Sequence, residues 1–202
     1  MMILRHSPAS PFVRKVKIAA EVLGLADRIQ MQDADTIAPD AAFLDQNSLG
    51  KIPTLILDDG SALYDSPVIV EYLDHLAGGG RIIPSEPKAR FAALRMQALG
   101  DGILDAALLI VYEGRFRGPE MRYQPWIDRQ QGKIDRALAV LEGSSPEITA
   151  VPDVGQITLA CALGYCDLRL AGAWRKDHPK LVAWLDQFAA RVPSFAATKV
   201  AG

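Results

Sequence analysis

Three short segments carry the side chains best suited to chemistry, and all lie in the first third of the chain. Ser10-Pro11-Phe12 sets a hydroxyl directly before a proline, the pattern of a helix start, where unpaired backbone N–H groups and the helix dipole favour an anion. A thiolate suits that place. Donation from the Ser10 hydroxyl to the sulfur of a bound thiol would favour ionisation of a group whose free pKa is about 8.5. The same serine is equally an ordinary N-cap, and Ser7 offers a competing hydroxyl. Gly50-Lys51-Ile52-Pro53 places a proline at the head of an apolar, β-branched run. With a cis Ile52–Pro53 bond, the N–H and C=O of Ile52 turn outward to pair with an extended peptide, and Lys51 becomes a carboxylate partner. The plainer alternative is a proline that opens a strand beside a surface lysine. Asp65-Ser66 precedes a further helix, where the Ser66 hydroxyl and amide receive a carboxylate and Asp65 receives an ammonium, the two charged groups of one amino-acid unit. Capping alone would also use this pair.

The elements around these segments follow from pattern. Met2–His6 is an apolar run that stops at a Ser/Pro turn; after it Val13, Val16, Ala20 and Leu23 recur at helical spacing until Gly24, with Arg14, Lys15 and Lys17 expected toward solvent. Ile29–Asp33 reads as a second strand and Ala41–Gln46 as a short helix. Ile52–Leu57 and Ala62–Tyr64 flank Asp58-Asp59-Gly60-Ser61, an Asp-Gly hairpin signal. A helix then carries Val68, Ile69, Tyr72, Leu73 and Leu76 on its apolar face and ends at Gly78-Gly79-Gly80. Past the linker Pro84–Pro87 every segment has helical periodicity: Lys88–Glu113, Trp126–Leu141, a nearly apolar Val154–Leu170 opened by an Asp153/Gln156 capping box, and Lys180–Arg191. The expected fold is an α/β domain of βαβαββα order over residues 1–80, followed by an all-α domain over 86–202.

Composition narrows the function classes. A net charge of −2 with interspersed signs gives no pull toward nucleic acid or an anionic membrane. The early polar residues do not make a signal peptide, and no apolar run approaches the roughly 18 residues of a membrane span. The chain is expected to be cytoplasmic, with a small-molecule partner. Cys161 and Cys166 lie within one apolar helical segment at a spacing that puts them on different sides of it, as core residues. His6, His75 and His178 have no neighbours at metal-ligand spacing, so no metal is expected.

Taken together, Ser10-Pro11-Phe12-Val13-Arg14-Lys15, Asn47–Leu55 with its Gly50-Lys51-Ile52-Pro53, and Leu63-Tyr64-Asp65-Ser66-Pro67 occur in an order that resembles the thioredoxin-like domain of the glutathione transferase superfamily. Asp177-His178-Pro179-Lys180 through Trp184, and Arg191–Phe195, resemble its last helices, so the likeness spans nearly the whole chain. The resemblance, nearest to bacterial members with an active-site serine, implies glutathione as co-substrate, with Ser10 against its sulfur. It also implies that Ile52, flanked by Phe12 and Pro53, pairs with the cysteinyl unit, that Lys51 faces a carboxylate, and that Asp65 and Ser66 hold the γ-glutamyl end. It implies a homodimer and a detoxifying role, conjugation or reduction of a small apolar electrophile. Ser48 stands where the family often has proline, which is expected to leave that loop freer.

The electrophile is expected against Leu109, Tyr112, Arg115 and Phe116 of the long helix, although ordinary helix packing accounts for the same residues. A thiol-transferase mechanism would need a cysteine where Ser10 stands. A glutathione-dependent isomerase would present the same first-domain motifs, and a non-catalytic interaction protein on this scaffold is the alternative from another class.

Overall fold

The structure, a computed structural model, describes residues 1–200. Strands β1 (Met2–His6), β2 (Ile29–Asp33), β3 (Thr54–Ile56) and β4 (Ala62–Leu63) form one sheet in the order β2-β1-β3-β4, interleaved with α1 (Pro11–Leu23), α2 (Ala41–Gln46) and α3 (Ser66–Leu76). β1 runs parallel to β2 and antiparallel to β3, and β4 returns antiparallel to β3. Helices α4 (Pro87–Phe116), α5 (Gln124–Gly143), α6 (Val154–Arg169), α7 (Pro179–Arg191) and α8 (Pro193–Ala197) follow. A mixed thioredoxin-like sheet succeeded by an all-helical half is the expected class.

The two halves share one buried cluster. Leu4, Val16 and Leu73 are fully buried on the sheet side, and Leu104, Ile157 and Leu163 on the helical side, without a break between them. The join after α3 is built rather than slack: the buried Asp74 carboxylate accepts the N–H groups of Gly80, Arg81 and Ile82, and the Ile82 carbonyl accepts the N–H of Val154 at the head of α6. One side chain thereby satisfies a turn that the sequence shows only as three glycines.

Helix α1 corrects the reading of its polar residues. Lys15 is wholly buried, and Arg14, half-buried, donates to the Phe195 carbonyl and the Thr198 hydroxyl and lies 4.1 Å over the Phe195 ring. The cause is tertiary: α3, α6 and α8 all pack on α1, so positions that face water in an isolated βαβ unit face the helical half here. Val68 of α3, expected in the core, is exposed, and Val70 is buried instead. Only half of the capping box forms. Asp153 accepts the Gln156 N–H, while the Gln156 amide turns away to the Glu147 carbonyl.

α4 and α6 run parallel and touch where one or the other lacks a side chain. A Cβ on Gly100 would stand 2.8 Å from the Thr158 methyl, and one on Gly155 would stand 2.6 Å from Met96 Cβ and 2.8 Å from the Ala93 carbonyl oxygen. A backbone oxygen cannot swing aside. Gly155→Ala should therefore lower the stability measured by urea unfolding by about 2 kcal/mol, the usual cost of overpacking. Gly102→Ala, on α4 with nothing within 4 Å, should raise it by about 0.5 kcal/mol through reduced backbone freedom.

Candidate functional site

The strand register decides where the three motifs meet. Arg5, near the end of β1, pairs with Thr54 at the start of β3, and Leu63 at the end of β4 pairs with Leu55. The turn after β1, the residues before β3 and the residues after β4 therefore emerge at the same end of the sheet. That end carries Ser10, Ile52-Pro53 and Asp65-Ser66.

Ser10 caps α1. Its N–H donates to the Ser7 carbonyl at 3.1 Å, and its Oγ accepts the Val13 N–H at 3.3 Å. Capping and thiol activation do not compete, because accepting the Val13 N–H leaves the hydroxyl proton free to donate elsewhere. Phe12 is half-buried, with the Lys15 Nζ 5.9 Å from its ring centre.

Ile52–Pro53 is a cis peptide bond, and among the described residues neither Ile52 N–H nor C=O enters a backbone hydrogen bond. The loop ahead of it is pinned, contrary to the freedom expected from Ser48. Buried Asn47 donates from Nδ2 to the Lys51 carbonyl and to Thr54 Oγ1, both at 2.9 Å, and its Oδ1 accepts the Leu49 N–H at 3.1 Å. Thr54 closes the ring by donating to the Lys51 carbonyl at 2.9 Å. Gly50, at φ 58°, supplies the left-handed turn within it. Lys51 itself is exposed.

Asp65 occupies the N-cap position of α3, yet its side chain makes no capping hydrogen bond, so the carboxylate is uncommitted by the helix. Ser66 is buried at the first helical position.

The electrostatics join these residues through two aspartates of α4 that the sequence did not single out. Lys15 Nζ donates to Asp101 Oδ1 and Oδ2 at 2.7 and 2.8 Å, a bridge between α1 and α4 that is fully buried at the lysine and partly buried at the aspartate. Burial raises the Asp101 carboxyl above its ordinary range, with Lys15 pulling it back and Asp105 and Asp65 pushing it further up. Burial raises Asp105 as well, with Lys51 opposing and Asp65 reinforcing the rise. Asp65, Asp101, Asp105, Lys15 and Lys51 thus feel one another across the join. A lysine among the buried positions of α1 and an aspartate within the apolar stretch of α4 were visible signals, but their pairing was not.

A cavity of about 460 Å³ opens beside Ser10, with Pro8, Ala9, Tyr165, Leu168 and Phe195 among its walls. Leu109, Tyr112, Arg115 and Phe116 do not line it. They form a neighbouring face on the last turns of α4: the Tyr112 and Phe116 rings meet edge to face at 5.1 Å, and Arg115 lies 5.6 Å over Tyr112. Tyr165 joins the two regions, because it lines the cavity and lies within electrostatic reach of Tyr112 and Arg115. Burial pushes the thiols of Cys161 and Cys166 up to about 12, which leaves both inert as nucleophiles.

Comparison with known proteins places this geometry. Residues 9–76 match the family described as "Glutathione S-transferase, N-terminal domain", and residues 124–187 match "Glutathione S-transferase, C-terminal domain". The chain is 34% identical over 202 residues, 98% of each chain, to "Uncharacterized GST-like protein YibF" of Escherichia coli K12. Among solved structures it is similar to a glutathione transferase family member from Pseudomonas fluorescens Pf-5 with bound glutathione, at 45% identity, full coverage of both chains and a TM-score of 0.93. A structure of a family member from the same strain with bound S-(propanoic acid)-glutathione matches at 42% identity, again over both whole chains, with a TM-score of 0.88.

Lys15→Met would leave the Asp101 charge buried without its partner and should cost about 3 kcal/mol of stability near neutral pH. Because the folded chain then holds the Asp101 proton more readily than the unfolded chain, the deficit relative to wild type should shrink as pH falls toward the carboxylate range. Denaturation of the two proteins across pH measures this, and adding Asp101→Leu to Lys15→Met should recover much of the loss.

Proposed function

This chain belongs to the glutathione S-transferase family, and from that membership we propose that it joins the thiol of glutathione to a small electrophile, with Ser10 stabilising the thiolate. The observation that carries the reading is the state of Ser10: at the head of α1 its Oγ accepts the Val13 N–H and its proton remains free. A thiolate there receives that proton in a hydrogen bond and lies at the positive end of the helix dipole. Each pKa unit by which the bound thiol is lowered raises its ionised fraction about tenfold at a pH well below its pKa. The thiolate attacks an electrophilic carbon, a C–S bond forms, and a leaving group departs or a proton adds to the neighbouring atom.

The remaining residues hold the tripeptide. The free N–H and C=O of Ile52 pair with the cysteinyl unit, with Phe12 and Pro53 flanking it. Lys51 faces a carboxylate of the tripeptide. Asp65 takes the γ-glutamyl ammonium and Ser66 its carboxylate. The bound glutathione in the Pseudomonas relative supports this assignment of co-substrate. The uncommitted Asp65 carboxylate supports it too, since capping makes no use of that group.

Exposed apolar residues support a homodimer. Val68 of α3 and Phe91 of α4 are 46% and 69% exposed, and the Arg90–Glu71 ion pair ties the two helices into one face. A second copy of this face would cover both.

Ser10→Ala should reduce kcat/KM toward a generic aryl halide at least tenfold and raise the thiol pKa of bound glutathione, read from thiolate absorbance. Ser7→Ala should cost less on both measures; the reverse order would reassign the thiolate donor. Phe91→Glu should shift the protein from dimer to monomer in light scattering, and an unchanged mass would place the interface elsewhere.

A further inference from the structure

We infer that the electrophile taken by this protein carries a carboxylate, received by Arg115 and Arg169 where the C-terminal ends of α4 and α6 lie side by side. The inference rests on the transferase reading above. Its starting point is a charge left over. Arg115 and Arg169 stand in the last turns of their helices, and among the described residues neither forms an ion pair. Parallel packing of α4 on α6 brings the last turns of the two helices together, beside Tyr165, the buried tyrosine that walls the cavity beside Ser10. Arg169 lies one turn beyond Tyr165 on the same face of α6.

The nearby acids are already engaged. Glu113 is paired with Arg117 at 3.2 Å. Asp167 accepts from Arg175 at 2.6 and 2.8 Å and from the Trp174 indole at 2.8 Å, and Asp186, also on the cavity wall, acts on Arg175. The carbonyl ends of the two helices offset part of the repulsion between the guanidiniums, but they supply partial charges, not a counter-ion. What is lacking is one planar anion, and a guanidinium fork matches the two oxygens of a carboxylate. Tyr112 and Phe116, packed edge to face beside Arg115, and Leu168 in the cavity wall offer apolar surface for the body of such a molecule. The carboxylate is a handle only. The C–S bond still forms at the electrophilic carbon, and the leaving group or added proton is that of the conjugation step.

The test is calorimetric titration of the full chain with glutathione, S-(4-carboxybenzyl)glutathione and S-(4-carbamoylbenzyl)glutathione, the last two nearly equal in shape and different in charge. The carboxyl conjugate should bind on the order of tenfold more tightly than the carboxamide, an advantage that falls with added salt. In the double variant Arg115→Gln with Arg169→Gln the ratio of the two affinities should fall to near one. Equal affinities in the wild type, or a ratio that the double variant leaves intact, would overturn the inference while leaving the transferase reading in place. Failure of glutathione itself to bind would remove that reading, and the inference with it.

Discussion

Helix α1 has no long face left for water. α3, α6 and α8 pack around it, and even its lysine at position 15 is enclosed. A helix buried along its sides still has unpaired N–H groups at its first turn, and these must meet either a protein acceptor or a ligand. Ser10 supplies one acceptor. Ser10 and Pro11 of that helix end line the cavity beside it, while α3, α6 and α8 close the flanks.

That enclosure has an electrostatic consequence. Burying Lys15 is tolerable only because Asp101 reaches it with both oxygens, and Asp101 belongs to the helical half. The sheet half therefore cannot settle its own first helix without α4 in place. The same α4 brings Asp105 within reach of Lys51 and Asp65, so the charges around the proposed tripeptide site come from both halves of the chain. The Asp74 carboxylate beneath the glycine turn and the close approach at Gly155 hold α4 and α6 where this network needs them.

The two sides of the site differ in how tightly they are held. On the proposed glutathione side, Asn47 and Thr54 hold the loop before Pro53 through hydrogen bonds of 2.9 Å, and Ser10 separately caps α1. On the other side, Leu109, Arg115, Phe116 and Arg169 are exposed at helix ends. A fixed shape suits a partner that is always the same, and exposed side chains leave room for shape and charge to be set by the second substrate.

The sequence by itself determined the elements and their order. Apolar spacing, the Asp-Gly turn and the prolines at helix starts are local signals, and β1, α1, β2, the hairpin and the long helices follow from them within a few residues. It also singled out the segments to which the proposed chemistry is assigned, since Ser10, Ile52-Pro53 and Asp65-Ser66 stand out by residue type and neighbourhood. Tertiary structure alone decided that Lys15 is buried against Asp101, that Val68 faces outward, that Asn47 pins the loop, and that the cavity beside Ser10 is walled by Tyr165 rather than by Leu109 or Phe116. Each of these depends on which helix of the second half packs on which face of the first, and a contact between residues 86 positions apart leaves no periodicity in either segment to read.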